Sequence, residues 1–285
     1  MHARFGDFPD DFATEQGWIY ILPVPYDGTS TWRRGSSLGP AAVLEASHHL
    51  ENYDIESDFE VYRLGIYTDS AVEENSSPGK MVAAVRERVQ AHLANDKYVV
   101  TLGGEHTVSI GAVQAHVERF GDLAVLQLDA HADLRPQYQG STYNHACVMA
   151  RVREVAPVVQ VGIRSMDKSE KAFIRSENIF YAHEICQDTG WFAKVISRLP
   201  THVYLTLDVD VLDPSIMPST GTPEPGGLLW YDLLAFLQTL TRQRNLVGFD
   251  VTELCPDKSN PAPDYLVARL IHKLLSYRFC GWGKK

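Results

Sequence analysis

The chain has 285 residues, 45% of them hydrophobic, and carries 36 acids against 26 bases for a formal net charge of -10. That suffices for one large core, while an acidic chain without basic runs is a poor nucleic-acid binder and one without an apolar stretch of about eighteen residues spans no membrane. Cys147, Cys186, Cys255 and Cys280 lack metal or redox spacing and read as small buried residues; with no signal-peptide pattern at the start, the expectation is a reduced, cytoplasmic setting.

In chain order, residues 1–16, acidic and holding three Phe, read as an irregular arm. Trp18 to Val24 is a first strand, followed by a loop from Pro25 to Pro40 and a helix from Ala41 to Asn52, opened by a Pro at its first turn. The His48-His49 pair on that helix reads as surface, because adjacent helical positions point about 100° apart. A strand near Val61 to Tyr67 precedes an amphipathic helix from Gly79 to Leu93, with Met81, Val82, Val85, Val89 and Leu93 on one face.

Next come a strand from Tyr98 to Leu102, a helix from Ser109 to Phe120 and a strand from Leu123 to Leu128. A polar loop from Leu134 to Asn144 leads to a helix from His145 to Glu154, a strand from Val158 to Ile163 and a helix from Lys168 to Ser176. The remaining elements are a strand from Asn178 to Tyr181, a helix from Gly190 to Leu199, a strand from Val203 to Leu207, a helix from Leu229 to Thr241, a strand from Leu246 to Asp250 and a helix from Pro263 to Ser276. Such alternation predicts an α/β fold with a mainly parallel sheet covered on both faces, in one domain spanning the chain.

Chemistry-bearing residues gather at strand ends. The run to Leu128 closes in Asp129-Ala130-His131-Ala132-Asp133, where residues two apart project to the same side. Taken alone, Asp-x-His-x-Asp is equally a polar turn. Two further apolar runs, however, end in Gly103-Gly104-Glu105-His106 and in Asp208-Val209-Asp210, and α/β sheets build their sites at the carboxyl ends of strands. His106, Asp129, His131, Asp133, Asp208 and Asp210 together offer four carboxylates and two imidazoles. One divalent ion would be over-supplied by this set; two ions about 3.5–4 Å apart fit it better. Oxygen-dominated ligation with some imidazole favours Mn²⁺.

These three motifs resemble those of the ureohydrolases, the arginase and agmatinase family. The similarity extends to the Pro25–Pro40 loop, to Thr220-Gly221-Thr222-Pro223 with Gly226-Gly227, and to Asp250-Val251-Thr252-Glu253, in the family's order. The resemblance implies an arginase-like three-layer α/β/α sandwich, two Mn²⁺ ions per subunit, and hydrolysis of a small cationic guanidino substrate to urea and an amine. It also implies a homo-oligomer, a trimer or hexamer. Carried over by position, Asp129 and Asp208 would bridge both ions, His106 and Asp133 would complete one and His131 and Asp210 the other.

By the same resemblance Glu253 would receive the guanidinium and His145 would shuttle protons, while Asp133, beyond ligation, could aim the attacking oxygen. Bland readings stand beside these: Glu253 as a surface acid or helix cap, His145 as a helix-start packing residue, and Thr222 as a turn-shaping residue rather than a substrate contact. The loop Leu134 to Asn144 departs from the Ser-, Thr- and Asn-rich arginase pattern and is similar to that of bacterial and archaeal agmatinases. That makes agmatine the expected substrate, with Tyr143 and Asn144 as candidate contacts, and hydrolysis to putrescine and urea the expected reaction. N1-aminopropylagmatine, guanidinobutyrate and arginine are alternatives. A one-zinc deacetylase relative and a non-catalytic relative are the rival classes.

Overall fold

The computed structural model describes residues 4–281, so the first three residues of the N-terminal arm lie outside the described residues. Eight strands form one sheet in the order β2-β1-β3-β8-β7-β4-β5-β6, and every neighbouring pair is parallel. They are β1 (Ile19–Val24), β2 (Ile66–Thr68), β3 (Tyr98–Gly103), β4 (Leu123–Leu128), β5 (Val158–Ile163), β6 (Ile179–Tyr181), β7 (His202–Asp208) and β8 (Asn245–Thr252).

The helices are α1 (Gly39–Ser47), α2 (Pro78–Ala94), α3 (Val108–Phe120), α4 (Val148–Val152), α5 (Ala182–Ile185), α6 (Trp191–Ser197), α7 (Trp230–Gln243) and α8 (Ala262–Phe279). They make two layers, with α1, α6, α7 and α8 packed on one face of the sheet and α2, α3 and α4 on the other. Strand alternation serves both layers: Ala124, Leu126 and Leu128 of β4 enter the first core, Leu123 and Val125 the second. The sheet is therefore buried on both faces, as crossover helices require of parallel strands.

Several expected elements are shorter than the apolar pattern suggests. The strand expected near Val61 to Tyr67 is a 3-10 turn, Val61–Leu64, and then β2, because Gly65 takes φ +78 where its backbone meets Gly17. The helix expected from Lys168 to Ser176 is a 3-10 turn, Lys168–Phe173: Asp167 and Glu170 close a capping box, and Glu170 is also held by the Leu134 amide. Helix α1 stops at Ser47, whose hydroxyl bonds back to Leu44 O, and leaves His48 and His49 exposed. The arm is irregular, yet Phe5 and Phe8 are core residues. Of the cysteines, Cys147 and Cys255 are buried, Cys280 is half-buried and Cys186 is exposed, contrary to the expectation that all four pack inside. No helix among the described residues is long and apolar enough to cross a membrane.

Candidate active site

Four adjacent central strands, β3, β8, β7 and β4, deliver the candidate residues. His106 lies three residues past β3, Glu253 directly past β8, Asp208 at the end of β7 and Asp129 directly past β4. The two motifs that come late in the chain are thus inserted between the two that come early. The acids are shaped by local bonds: Asp208 Oδ1 accepts the Asp210 amide at 2.9 Å, and Asp210 Oδ1 accepts the Ala130 amide at 2.9 Å, tying the β7 turn to the β4 turn. Asp129 Oδ1 accepts the His131 amide at 2.6 Å.

The convergence of Asp129, His131 and Asp133 is only partly strand alternation. β4 ends at Leu128, and Asp133 turns inward through a left-handed backbone, φ +53. Glu253 is left-handed too, at φ +68. Non-glycine residues held there store strain that the surrounding structure must offset.

Two groups of ligand atoms result: His106, Asp129 and Asp208, and Asp129, His131 and Asp210, each with atoms within 4.8 Å of one another and with Asp129 common to both. Asp133 belongs to neither, although its Oδ2 lies 3.0 Å from His106 Nδ1. His106 Nδ1 is also 3.1 Å from Asp129, and His131 Nδ1 is 2.8 Å from Asp210. Both imidazoles therefore aim Nδ1 at the acids. The far side of His106 is fixed by Thr206 Oγ1 at 2.8 Å, whose own proton goes to Asp250 at 2.7 Å, an acid that also takes the Tyr204 hydroxyl.

Charge in the cluster is far out of balance. Burial, reinforced by Asp210 and Asp129, raises the Asp208 carboxyl well above its ordinary value, and burial with Asp129 raises Asp133 to about 7. Burial would lower both imidazoles, but Asp129 and Asp133 raise His106, and Asp210 and Asp129 raise His131 to about 12. Burial would also raise Asp129, but its bonds to the two histidines hold it low. Buried acids outnumber the imidazoles that neutralise them, and a pair of divalent cations would balance the set and free the imidazoles to act as neutral ligands. The donor set thus fits a two-ion centre.

Of the ligand candidates, His106, His131, Asp133, Asp208 and Asp210 line a cavity of about 370 Å³ together with His145, Thr222 and Glu253, and Asp129 does not. Glu253 Oε1 accepts the His106 amide at 2.7 Å, and burial, then the neighbouring Glu105, raises its carboxyl to about 8. Tyr143 and Asn144 do not line this cavity. Asn144 is buried and caps the turn that carries His145, accepting the Ala146 amide, and Tyr143 packs against the second core.

In their place the walls present Trp32, Arg135, Tyr138, Asp167 and Glu224. Trp32 is 81% exposed at the lip, and the Arg135 guanidinium lies 4.4 Å over the Tyr138 ring. Glu224 Oε1 stands 4.0 Å from His131 Nε2. Its loop is held by Arg164, which donates to the carbonyls of Glu224, Pro225 and Asp210, and by Asp213, which accepts the amides of Gly226 and Gly227.

A sequence signal was present for one further pair. Gln127 and Gln160 each interrupt an apolar strand run, and a buried amide at such a position needs partners. Gln160 Nε2 donates to Gln127 Oε1 at 2.6 Å, which orients Gln127 Nε2 onto Asp129 Oδ2 at 2.7 Å.

Residues 18–276 match the Arginase family. The N(1)-aminopropylagmatine ureohydrolase of Synechocystis sp. is 38% identical over 277 residues, 93% of this chain and 89% of the relative. That of Thermus thermophilus is 37% identical over 288 residues, 99% and 97% of the two chains. The crystal structure of the agmatine ureohydrolase of Thermoplasma volcanium superposes with a TM-score of 0.86 at 29% identity, covering 95% of this chain and 92% of that one. Sheet order, ligand groups and a likeness spread over nearly the whole sequence lead to one conclusion: the chain belongs to the arginase family.

Proposed function

We propose that this protein is a two-manganese ureohydrolase that cleaves the guanidinium of N(1)-aminopropylagmatine to urea and an amine, with agmatine as the second reading. The observation that carries the reaction class is the cluster of four acids and two imidazoles, all but Asp129 on the wall of a cavity that Glu253 also lines. The sequence alone points to agmatine first. The two relatives above favour the aminopropylated substrate, and the Thermoplasma volcanium enzyme, by its name, supports agmatine.

The substrate's difficulty sets the roles. A guanidinium is resonance-stabilised and stays charged at neutral pH, so it resists attack by water. Two divalent ions, held by His106, Asp133 and the shared Asp129 and Asp208 on one side and by His131 and Asp210 on the other, would supply a water of lowered pKa, toward about 7. Glu253 receives the planar cation; a guanidinium beside it restores the ionised carboxylate that burial and Glu105 disfavour.

His145 moves protons. Burial, then the nearby His131 and His106, lowers its imidazole to about 4, so at neutral pH the ring is uncharged and ready to take a proton and pass it to the departing amine. The longer substrate adds ammonium groups that point to the mouth, where Glu224, Asp167 and the rings of Trp32 and Tyr138 suit a cation. Arg135 opposes this least where it is stacked on Tyr138 and paired with Glu170 at 3.7 Å.

Urea release by manganese-loaded protein over N(1)-aminopropylagmatine, agmatine, guanidinobutyrate and arginine tests the reading. The expected order places the first two well ahead, the aminopropylated compound leading. Preference for arginine would overturn the substrate assignment, and no urea from any of them would overturn the reaction. A cytoplasmic setting and a homo-oligomer complete the proposal.

A further inference from the structure

A fully buried carboxylate, Glu105, sits next to the proposed ligand His106, and beyond its repulsion of Glu253 no role above uses it. Four donors surround it. Thr29 Oγ1 and Thr107 Oγ1 each reach its Oε1 at 2.7 Å, and the Thr29 amide and Ser30 Oγ reach its Oε2 at 2.8 and 3.1 Å. The approach of this loop depends on Gly104, where a Cβ would stand 2.1 Å from Tyr26 O, and Tyr26 O in turn accepts the Glu105 amide at 2.7 Å.

The same Thr29 oxygen lies 3.1 Å from His145 Nδ1 and 3.1 Å from the His145 amide nitrogen. A hydroxyl has one proton to give and two lone pairs with which to accept. The Thr29 proton goes to Glu105, so both contacts with His145 must be donated to the Thr29 oxygen, and Nδ1 must carry a hydrogen.

We propose that Thr29, seated on Glu105, is a positioning residue that holds His145 as its Nδ1–H tautomer and leaves Nε2 as the nitrogen that exchanges protons. An uncharged imidazole has a single N–H, so the choice of nitrogen decides which one can accept. The ionisable groups acting on the ring are His131, His106 and Arg135, and Tyr138 meets it edge-on at 6.0 Å between ring centres. None of them supplies a second acceptor for Nδ1–H.

The inference rests on the proposed ureohydrolase reaction only for the use made of Nε2. There, water forms the new C–O bond as the C–N bond to the alkylamine breaks. Both water protons end on the amine nitrogen, one of them by way of Nε2, while Nδ1 keeps its hydrogen throughout.

The test uses full-length protein with ¹⁵N-labelled histidine, loaded with diamagnetic Mg²⁺, as wild type, Thr29→Val and Thr29→Ser. Nitrogen–proton correlation spectra read which ring nitrogen is protonated, with His145→Gln identifying the signal. The Nδ1–H form is expected in the wild type and the Ser variant and lost in the Val variant. With manganese, the Val variant should lose about 10- to 100-fold in kcat with little change in KM, and Ser should restore it.

An Nε2–H tautomer in the wild type would overturn the proposal. So would a Val variant that keeps both the Nδ1–H signal and the wild-type kcat. The tautomer is read without turnover, so a protein that releases no urea defeats the reaction class and leaves this result to stand by its own spectrum.

Discussion

At the residue scale, Glu253 and His116 show how burial is put to use in two ways. Glu253 is held in a left-handed backbone with its carboxyl raised to about 8, and under the proposed function one cation of the right shape would correct the imbalance. Glu253→Gln keeps the size and the bond from the His106 amide but removes the charge, and kcat/KM should fall by the equivalent of about 2–5 kcal/mol, measured by steady-state urea release. His116 has no such partner. It is fully buried on α3, donates Nδ1–H to Ala112 O at 2.8 Å and leaves Nε2 without a partner, and burial lowers it to about 4.

The unfolded chain takes up that proton first, near its ordinary value of about 6.5. Stability from a neutral His116 is therefore complete above that pH and is lost as pH falls through the window down to about 4, by about 3 kcal/mol in all at 1.36 kcal/mol per unit. Urea unfolding of His116→Gln beside the wild type between pH 7 and 4.5 should show a shallower decline in the variant. Equal slopes would contradict it. The ring also fills the space over Gly248, where a Cβ would come within 2.2 Å of Nε2, so Gly248→Ala should cost about 1–3 kcal/mol by overpacking.

At the element scale, the strand-helix alternation was legible because buried strands read as short apolar runs, and the motifs were legible because they follow those runs directly. Pairing order was not. Apolar runs identify β7 and β8 as strands but carry no information about which neighbours they choose, and it is their insertion between β3 and β4 that closes the site. Loop contacts were equally hidden. Tyr143 and Asn144 look like substrate contacts in a polar loop, yet one packs inward and the other caps a turn, while Trp32, from a loop about a hundred residues earlier, stands at the lip.

Arg164 illustrates the same point. Nothing in Gly162-Ile163-Arg164 announces that its guanidinium fastens the Glu224 loop to the Asp210 turn. Arg164→Leu would strand several carbonyls and release that wall. Thermal unfolding should show a loss of about 2–4 kcal/mol, and KM for the longer substrate should rise more than KM for agmatine. A parallel rise for both would place the loop's influence at the reacting end instead.

At the scale of the whole molecule, a single parallel sheet gathers acids from separate parts of the sequence at the carboxyl ends of its central strands, where burial makes them costly without cations. The six ligand candidates were readable from spacing, and the family resemblance implied that Asp129 and Asp208 are shared; the folded sheet puts Asp129 in both groups and Asp208 in one, and shows the support that Gln127 and Gln160 give Asp129. Loss of the shared acid should cost both ions, and loss of a ligand private to one group should cost only that ion. Asp129→Ala removes an acid common to both groups and should abolish binding of both, whereas His131→Ala should spare the group of His106, Asp129 and Asp208.

The central claim is most directly tested by counting manganese per chain in protein loaded with excess Mn²⁺ and then desalted, using elemental analysis against amino-acid quantitation. Two ions per chain is the expected result. One ion or none, in protein that remains folded by circular dichroism, would contradict the two-ion centre and with it the proposed hydrolysis.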